Sequence, residues 1–239
     1  MNPTLDIYNE DCLEGMKRIQ DKSVDFILTD IPYELSLFGG ITHGDFADRK
    51  LAIKGKDSPY YFISQGIDYD KTFSEFIRLL KVVNCCIFCS NKQVGKIMTW
   101  WEEKGYVATL LVWDKPNPIP FGNNGYLQNL EFIIYVREKG ATFNNLEYQM
   151  KSKTFRYTPP LSKERIHETE KPVELLKHLL MIHSNENDVV LDPYAGSFST
   201  AIACHDLKRN FIGFELDKGY YDKAQKRIRE HQMQLRLDL

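Results

Sequence analysis

Nothing in the 239-residue sequence approaches the run of about 20 apolar residues that a membrane-spanning helix requires. The opening MNPTLDIYNED has neither the basic nor the apolar zone of a signal peptide. The expectation is a cytoplasmic chain with no membrane partner. An excess of one charge is lacking too: 31 Lys and Arg stand against 33 Asp and Glu, so a polyanion would have to be held by a local basic patch. Cysteines are few, and neither they nor the six histidines show paired metal-ligand spacing. Three of the five cysteines crowd into VVNCCIFCS, a strand-like run whose neighbouring side chains point to opposite faces. Core packing accounts for them, and no metal is expected. Internal repeats and low-complexity tracts are absent. What the chain does have is apolar content, 43% hydrophobic and 13% aromatic, enough for a large core in one domain spanning residues 1–239.

Short apolar runs alternate with amphipathic helical patterns. LDIYNED, VDFILTD, VVNCCIFCS, YVATLLVWDK, LEFIIYVRE, DVVLDPYAGS and NFIGFELD read as strands. Helices are expected from about Leu13, over Thr72 to Leu80, Gln93 to Lys104 and Pro172 to His183, and from Ser199 and Lys218. The alternation predicts an α/β fold with a mostly parallel sheet and helices on both faces. YVATLLVWDK and LEFIIYVRE follow one another closely, which predicts an antiparallel pair at one sheet edge. Two segments break the pattern: residues 34–70, a variable loop, and about 123–170, a small recognition insertion. The second contains KSKTFRYTPPLSKER, where Lys151, Lys153, Arg156, Lys163 and Arg165 face only Glu164. Basic residues interleaved with Phe155 and Tyr157 suit a nucleic-acid backbone with unstacked bases, although a solvated loop has the same composition.

VVLDPYAGSFSTAIAC reads as strand, turn and helix, a unit that sets backbone N–H groups and a helix N-terminus beside a ligand. Glu215, 19 residues after Gly196, ends the next strand, where an acid can accept hydrogen bonds from both hydroxyls of a ribose. The glycine pattern is not G-x-G-x-x-G, since Phe198 and Ala201 fill its second and third positions, so a pyrophosphate would lack close backbone approach. A nucleoside cofactor without phosphate, such as S-adenosylmethionine, fits better.

TDIPY, LDPYAGS, FIGFELD and ETEKPVELL together resemble the amino-methyltransferases of DNA, whose signatures are D-P-P-Y and D-P-F-x-G-S-G-T. The catalytic motif precedes the cofactor motif, the order of the beta class, and the similarity runs from about Leu5 to Ile228. The resemblance implies a Rossmann-like fold with a mixed seven-stranded sheet, S-adenosylmethionine as cofactor, and double-stranded DNA as partner. It further implies a cofactor site at Asp192, Tyr194, Gly196, Ser197, Thr200 and Glu215, with Asp11 and Cys12 near the adenine and Lys171 and Pro172 beside the methionine tail. Relatives of this class are often dimers, so the resemblance leaves room for a homodimer. Asp11 also suits a helix cap and Pro172 a first helical turn. Two departures stand out: Phe198 replaces the second glycine of the cofactor motif, and Ile31 the middle proline of D-P-P-Y.

The resemblance places catalysis at Asp30, Ile31, Pro32 and Tyr33. An exocyclic amine on adenine or cytosine is a poor nucleophile because its lone pair is delocalised into the ring. Two acceptors aimed at its N–H bonds favour a tetrahedral nitrogen and stabilise the charge that develops as a methyl arrives. Asp30 supplies one and the Ile31 carbonyl the other, which any residue at 31 can do. The base must leave the duplex, and stacking on Tyr33, about 1–3 kcal/mol, offsets part of that cost. Asp at the head of the motif favours adenine N6 over cytosine N4, because the class's cytosine enzymes usually begin it with Ser or Thr. A DNA-binding relative without catalysis is the alternative of a different kind.

Overall fold

The computed structural model describes residues 3–34, 66–118, 126–161, 166 and 170–237. Most of the loop expected over 34–70, together with Lys163 and Arg165, lies outside the described residues. Strands β1 (Leu5–Tyr8), β2 (Phe26–Asp30), β3 (Asn84–Cys89), β4 (Val107–Asp114), β5 (Leu130–Arg137), β6 (Thr154–Arg156), β7 (Val189–Asp192) and β8 (Asn210–Phe214) form one sheet in the order β1-β8-β7-β2-β3-β5-β4-β6. The helices are α1 (Cys12–Met16), α2 (Tyr69–Leu79), α3 (Asn91–Glu103), α4 (Val173–His183), α5 (Ser199–Asp206) and α6 (Lys218–Leu237).

Every neighbouring pair is parallel except those that involve β5, which runs antiparallel to both β3 and β4. The sheet therefore has eight strands where seven were expected, and the β4–β5 pair is antiparallel as expected but does not form the edge. The three-residue β6, from the basic stretch KSKTFRY, pairs parallel with β4 outside it. Three residues are too few for periodicity to register in a sequence.

Alternation along the strands splits the core in two. Phe26, Leu28, Cys86, Ile133 and Tyr135 pack on one face beneath α4, α5 and α6. Ile27, Cys85, Cys89, Ile134 and Val136 pack on the other beneath α1, α2 and α3. Adjacent Cys85 and Cys86 thus point to opposite faces, and all five cysteines are buried and free. In α2 the buried positions Thr72, Phe73, Phe76 and Leu79 recur at the helical period. Phe73 closes that side against Trp100 and Trp101, each with its ring centroid 5.2 Å away. Among the described residues no helix is long and apolar enough to cross a membrane.

Candidate active site

In a sheet of parallel strands, side chains at the carboxyl ends converge on one edge of the molecule. β2 ends there in Asp30, β7 in Asp192, and Glu215 directly follows β8. Because β5 runs the other way, its first residues reach the same edge. Glu131 is one of them, on the face that also carries Ile133 and Tyr135.

Four charged groups of alternating sign link up at this edge. The Lys171 ammonium, on the residue two before α4 and 5% exposed, donates to Asp30 Oδ2 at 2.6 Å and lies 3.2 Å from Glu131 Oε2. Lys115, just beyond β4, pairs with the other oxygen of Glu131. The Tyr33 hydroxyl donates to Glu131 Oε2 at 3.3 Å. The Lys171 ammonium also sits 5.5 Å from the Tyr33 ring centre and 5.3 Å from that of Phe88, within cation–π range of both. Asp30 Oδ1 is buried and accepts no hydrogen bond among the described residues.

Burial raises the pKa of Asp30, and the Lys171 charge offsets only part of that rise. Burial would likewise raise Glu131, but Lys171 and Lys115 outweigh it and hold this carboxyl below its usual value. Burial disfavours the Lys171 cation, yet Asp30 and Glu131 together push its pKa up. The arrangement keeps an ammonium between two carboxylates.

The backbone of the D-I-P-Y segment is held from α3. Gln93, fully buried, accepts from the Ser90 amide at 3.0 Å and donates through Nε2 to the Pro32 carbonyl at 3.0 Å. Ile31, 1% exposed, packs into the core on the face opposite Asp30.

The turn after β7 has Gly196 at φ +51°, and its amide donates to Glu215 Oε2 at 3.0 Å. The Asp217 amide donates to the other oxygen at 2.7 Å. A carboxylate has about four lone-pair sites, so Glu215 can still accept from ribose hydroxyls. Burial raises its pKa, opposed by those two amides. Thr200 Oγ1 donates to Asp192 Oδ2 at 2.7 Å and the Tyr194 amide to Oδ1 at 3.2 Å. Burial nevertheless lifts Asp192 to about 7. Ser197 Oγ lies 3.0 Å from Ser199 Oγ, and Ser199 donates to the buried Glu170, which Arg227 of α6 neutralises at 2.7 Å. This set fits a nucleoside cofactor. The turn offers amides and hydroxyls without the glycines a pyrophosphate needs, and Glu215 keeps acceptor capacity beside it.

Phe198 occupies the left-handed region, φ 55° and ψ 31°, the conformation a glycine would take without strain. Its ring is fully buried, edge-on to Phe211 and Tyr221. It packs over Gly213, where an added Cβ would lie 3.0 Å from the Phe198 ring. The side chain therefore belongs to the core.

Asp11 caps α1, its Oδ1 accepting from the amides of Leu13 at 2.9 Å and Glu14 at 3.2 Å. Cys12 is buried beside it, and desolvation lifts its thiol to about 11. Pro172 forms the N-cap of α4. The Lys171 ammonium, expected beside a cofactor tail, is engaged with Asp30 and Glu131 and so joins the segment before α4 to the ends of β2 and β5. Glu131 and Lys115 were not singled out in the sequence. The available signal was one acid within the apolar run LEFIIYV, on the face that alternation buries.

In the basic segment, Lys153 and Arg156 are exposed, while Lys151 is half-buried with its ammonium on Asn145. The interleaved aromatics do not face solvent with them. Phe155 is 3% exposed, and the Tyr157 hydroxyl meets His178 Nδ1 at 2.8 Å. Tyr148, three residues before this segment, is 86% exposed. His205, Asp206 and His231 offer three ligand atoms within 4.8 Å of one another. Asp206 already carries the Lys177 ammonium at 2.7 Å and His231 Nε2 at 2.5 Å.

A sheet of this order, with an acid closing β2, a glycine turn after β7 and an acid after β8, defines the Rossmann-like methyltransferase class. The family model described as DNA methylase matches residues 24–226, and the chain belongs to this N6/N4 family. It is 30% identical to the type II methyltransferase M.HinfI of Haemophilus influenzae, over 94% of this chain and 68% of that protein. It is 27% identical to M2.MboI of Moraxella bovis, over 94% and 87%. The crystal structure of the M1.HpyAVI–SAM complex superposes with a TM-score of 0.69 at 28% identity, covering 94% of this chain and 99% of that one. The cytosine-N4-specific PvuII methyltransferase shares the fold, with a TM-score of 0.70 at 14% identity over 94% and 88%.

Proposed function

We propose that this chain transfers the methyl group of S-adenosylmethionine to the exocyclic N6 of adenine in double-stranded DNA, with the base turned out of the helix. The observation that carries this is Asp30 Oδ1, a buried acceptor with no hydrogen-bond partner among the described residues, beside an oxygen already capped by Lys171. A buried acceptor left open is costly, and an amino N–H of the target satisfies it.

The bound cofactor would supply an electrophilic methyl group on a sulfonium. Gly196, Ser197, Thr200 and Glu215 would hold it, with Asp192 and Tyr194 shaping the turn, and Asp11, Cys12 and Pro172 along its length. Asp30 and the Ile31 carbonyl accept the two N–H bonds of the target amine, so positive charge grows on nitrogen next to acceptors already in place. An aromatic amine is far too weak an acid to be deprotonated by a carboxylate first. Asp30 takes the proton as the N–C bond forms or after it. Tyr33, anchored through its hydroxyl to Glu131, offers its ring to the extruded base. Lys151, Lys153 and Arg156 are assigned to phosphates of the duplex, with Lys163 and Arg165 beside them in sequence.

The test is incubation with labelled S-adenosylmethionine and unmethylated duplex DNA, followed by digestion to nucleosides. N6-methyladenine is the expected product. N4-methylcytosine would overturn the adenine assignment, and no label on any DNA would indicate a binding protein without catalysis. Asp30→Ala should lower transfer by a factor on the order of 100 or more while cofactor affinity persists; full turnover by that variant would refute the role of Asp30.

A further inference from the structure

We propose that Lys171 is a positioning residue that fixes Asp30 for methyl transfer: its ammonium caps Oδ2, leaving Oδ1 as the one oxygen open to the target amine, while Glu131, braced by Lys115, holds the ammonium in place. The inference rests on the assignment of Asp30 as the acceptor of the target amine, and goes beyond it by moving Lys171 from the cofactor tail to Asp30 and by giving a role to Glu131 and Lys115, which the cofactor and DNA motifs do not explain.

The geometry carries it. A carboxylate on a free side chain offers two equivalent oxygens and rotates between them. Here the 2.6 Å contact to Lys171 breaks that equivalence. The ammonium is itself located from several sides, by Glu131 at 3.2 Å and by the faces of Tyr33 and Phe88. Glu131 in turn receives Lys115, whose ammonium lies 5.0 Å from the Trp113 ring centre. These partners come from the segment after β2, from β3, β5, the end of β4 and the segment before α4, so tertiary packing sets the angle of Asp30 rather than its own rotamer preference. An isolated Lys in a dry site would lose its proton and an isolated Asp would keep one; together they remain an ion pair.

The charges facing Asp30 predict a sign. Lys171 favours its ionised form, while Glu131 on β5 opposes it. Asp192 on β7, Cys89 on β3 and Tyr33 on the same segment also lie within electrostatic range, and none of them is cationic. Protonation of Asp30 removes its charge and its capacity to take the amine proton, so the rate must fall as pH drops through its pKa. Without Lys171 this acidic limb moves to higher pH. Without the Glu131 charge it moves to lower pH. A merely structural role for the pair would not shift the limb in opposite directions.

The experiment measures single-turnover methylation of unmethylated duplex DNA at saturating S-adenosylmethionine over pH 5–9, for wild type, Lys171→Met, Lys171→Arg and Glu131→Gln. Lys171→Met should lose on the order of 100-fold in rate at pH 7 and move the acidic limb up by about one unit or more, with cofactor affinity within about threefold. Lys171→Arg should keep the limb near its wild-type position. Glu131→Gln should lose about tenfold in rate and move the limb down. Limbs that stay put or move together overturn the proposal. So does a loss of cofactor affinity of about tenfold in Lys171→Met without a limb shift, which would assign Lys171 to the cofactor tail.

If wild type methylates no DNA, the function proposed above fails, but the ion pair is still tested by unfolding. The destabilisation of Lys171→Met should then grow from pH 5 to pH 8, as Asp30 is forced to ionise without a partner, and this growth should vanish in Asp30→Asn/Lys171→Met. Equal pH dependence in the single and double variants overturns the pairing.

Discussion

Replacing Phe198 by glycine, the residue that the family motif carries at this place, should destabilise the protein. Two effects oppose each other. The left-handed backbone at φ 55° costs a non-glycine residue about 1–2 kcal/mol, which glycine recovers, less roughly 0.5–1 kcal/mol for the added freedom of its unfolded chain. Against this stands a fully buried ring packed on Phe211, Tyr221 and Gly213, whose truncation costs about 3–5 kcal/mol. The ring wins, leaving a net loss of about 2–4 kcal/mol. For a domain of this size that corresponds to a fall in Tm of roughly 5–15 °C. Phe198→Ala separates the terms, because it loses the ring and keeps the strain, and it should melt below Phe198→Gly. Calorimetric melts of the three proteins, with cofactor titrations, decide the matter. A Phe198→Gly protein as stable as wild type would show that strain dominates, and a tenfold gain in cofactor affinity would show that the ring intrudes on the cofactor space. Either result refutes the argument.

Asp192, lifted to about 7 by burial, binds a proton in the folded state that the unfolded chain has released. Its contribution to stability is therefore present at low pH and lost as pH rises from about 4 towards 7 and beyond. Urea unfolding from pH 4.5 to pH 8 should show Asp192→Asn losing less stability over that range than wild type, and an identical slope would sink the assignment. Lys153, exposed on the basic segment, should bind a single phosphate. Lys153→Ala should weaken DNA binding by a similar factor for every sequence and reduce the slope of log K against log salt by about 0.9, measured by fluorescence anisotropy; an unchanged slope would remove this face from the DNA interface.

The order of strands and helices was legible because each run is long enough for its period to register: α2 repeats Phe73, Phe76 and Leu79, and β3 is apolar from Cys85 to Cys89. β6 escaped because its three residues carry no period, and because Thr154–Arg156 sits among charges. Phe155 and Tyr157 were read as a stacking surface from their spacing among basic residues, but spacing does not show direction. His178, reaching from α4, draws Tyr157 inward, and Phe155 lies edge-on to the same ring at 5.0 Å. The local motifs at Asp30, Gly196 and Glu215 were visible because their residues are close in sequence. Glu131 and Lys115 were not, since their significance depends on Lys171 arriving from a segment 40 residues beyond Glu131, and only the reversed direction of β5 brings them together.

The isoleucine in T-D-I-P-Y acquires a physical account from the same alternation. At the end of β2, successive side chains point to opposite faces. Asp30 turns towards Lys171, and Ile31 towards the core shared with Cys12, Phe73 and Phe214. The side chain at 31 is a packing element, while its peptide carbonyl is the group that the proposed mechanism assigns to the target amine. Backbone geometry is then needed from elsewhere. Pro32 supplies part of it by restricting Ile31 to extended conformations, and Gln93 the rest by holding the Pro32 carbonyl from the first turn of α3. A second proline at 31 would add rigidity to a segment already fixed on both sides, at the expense of apolar volume in a closed core. The substitution is thus tolerated where it stands because the positioning it would have provided is distributed over Pro32 and Gln93.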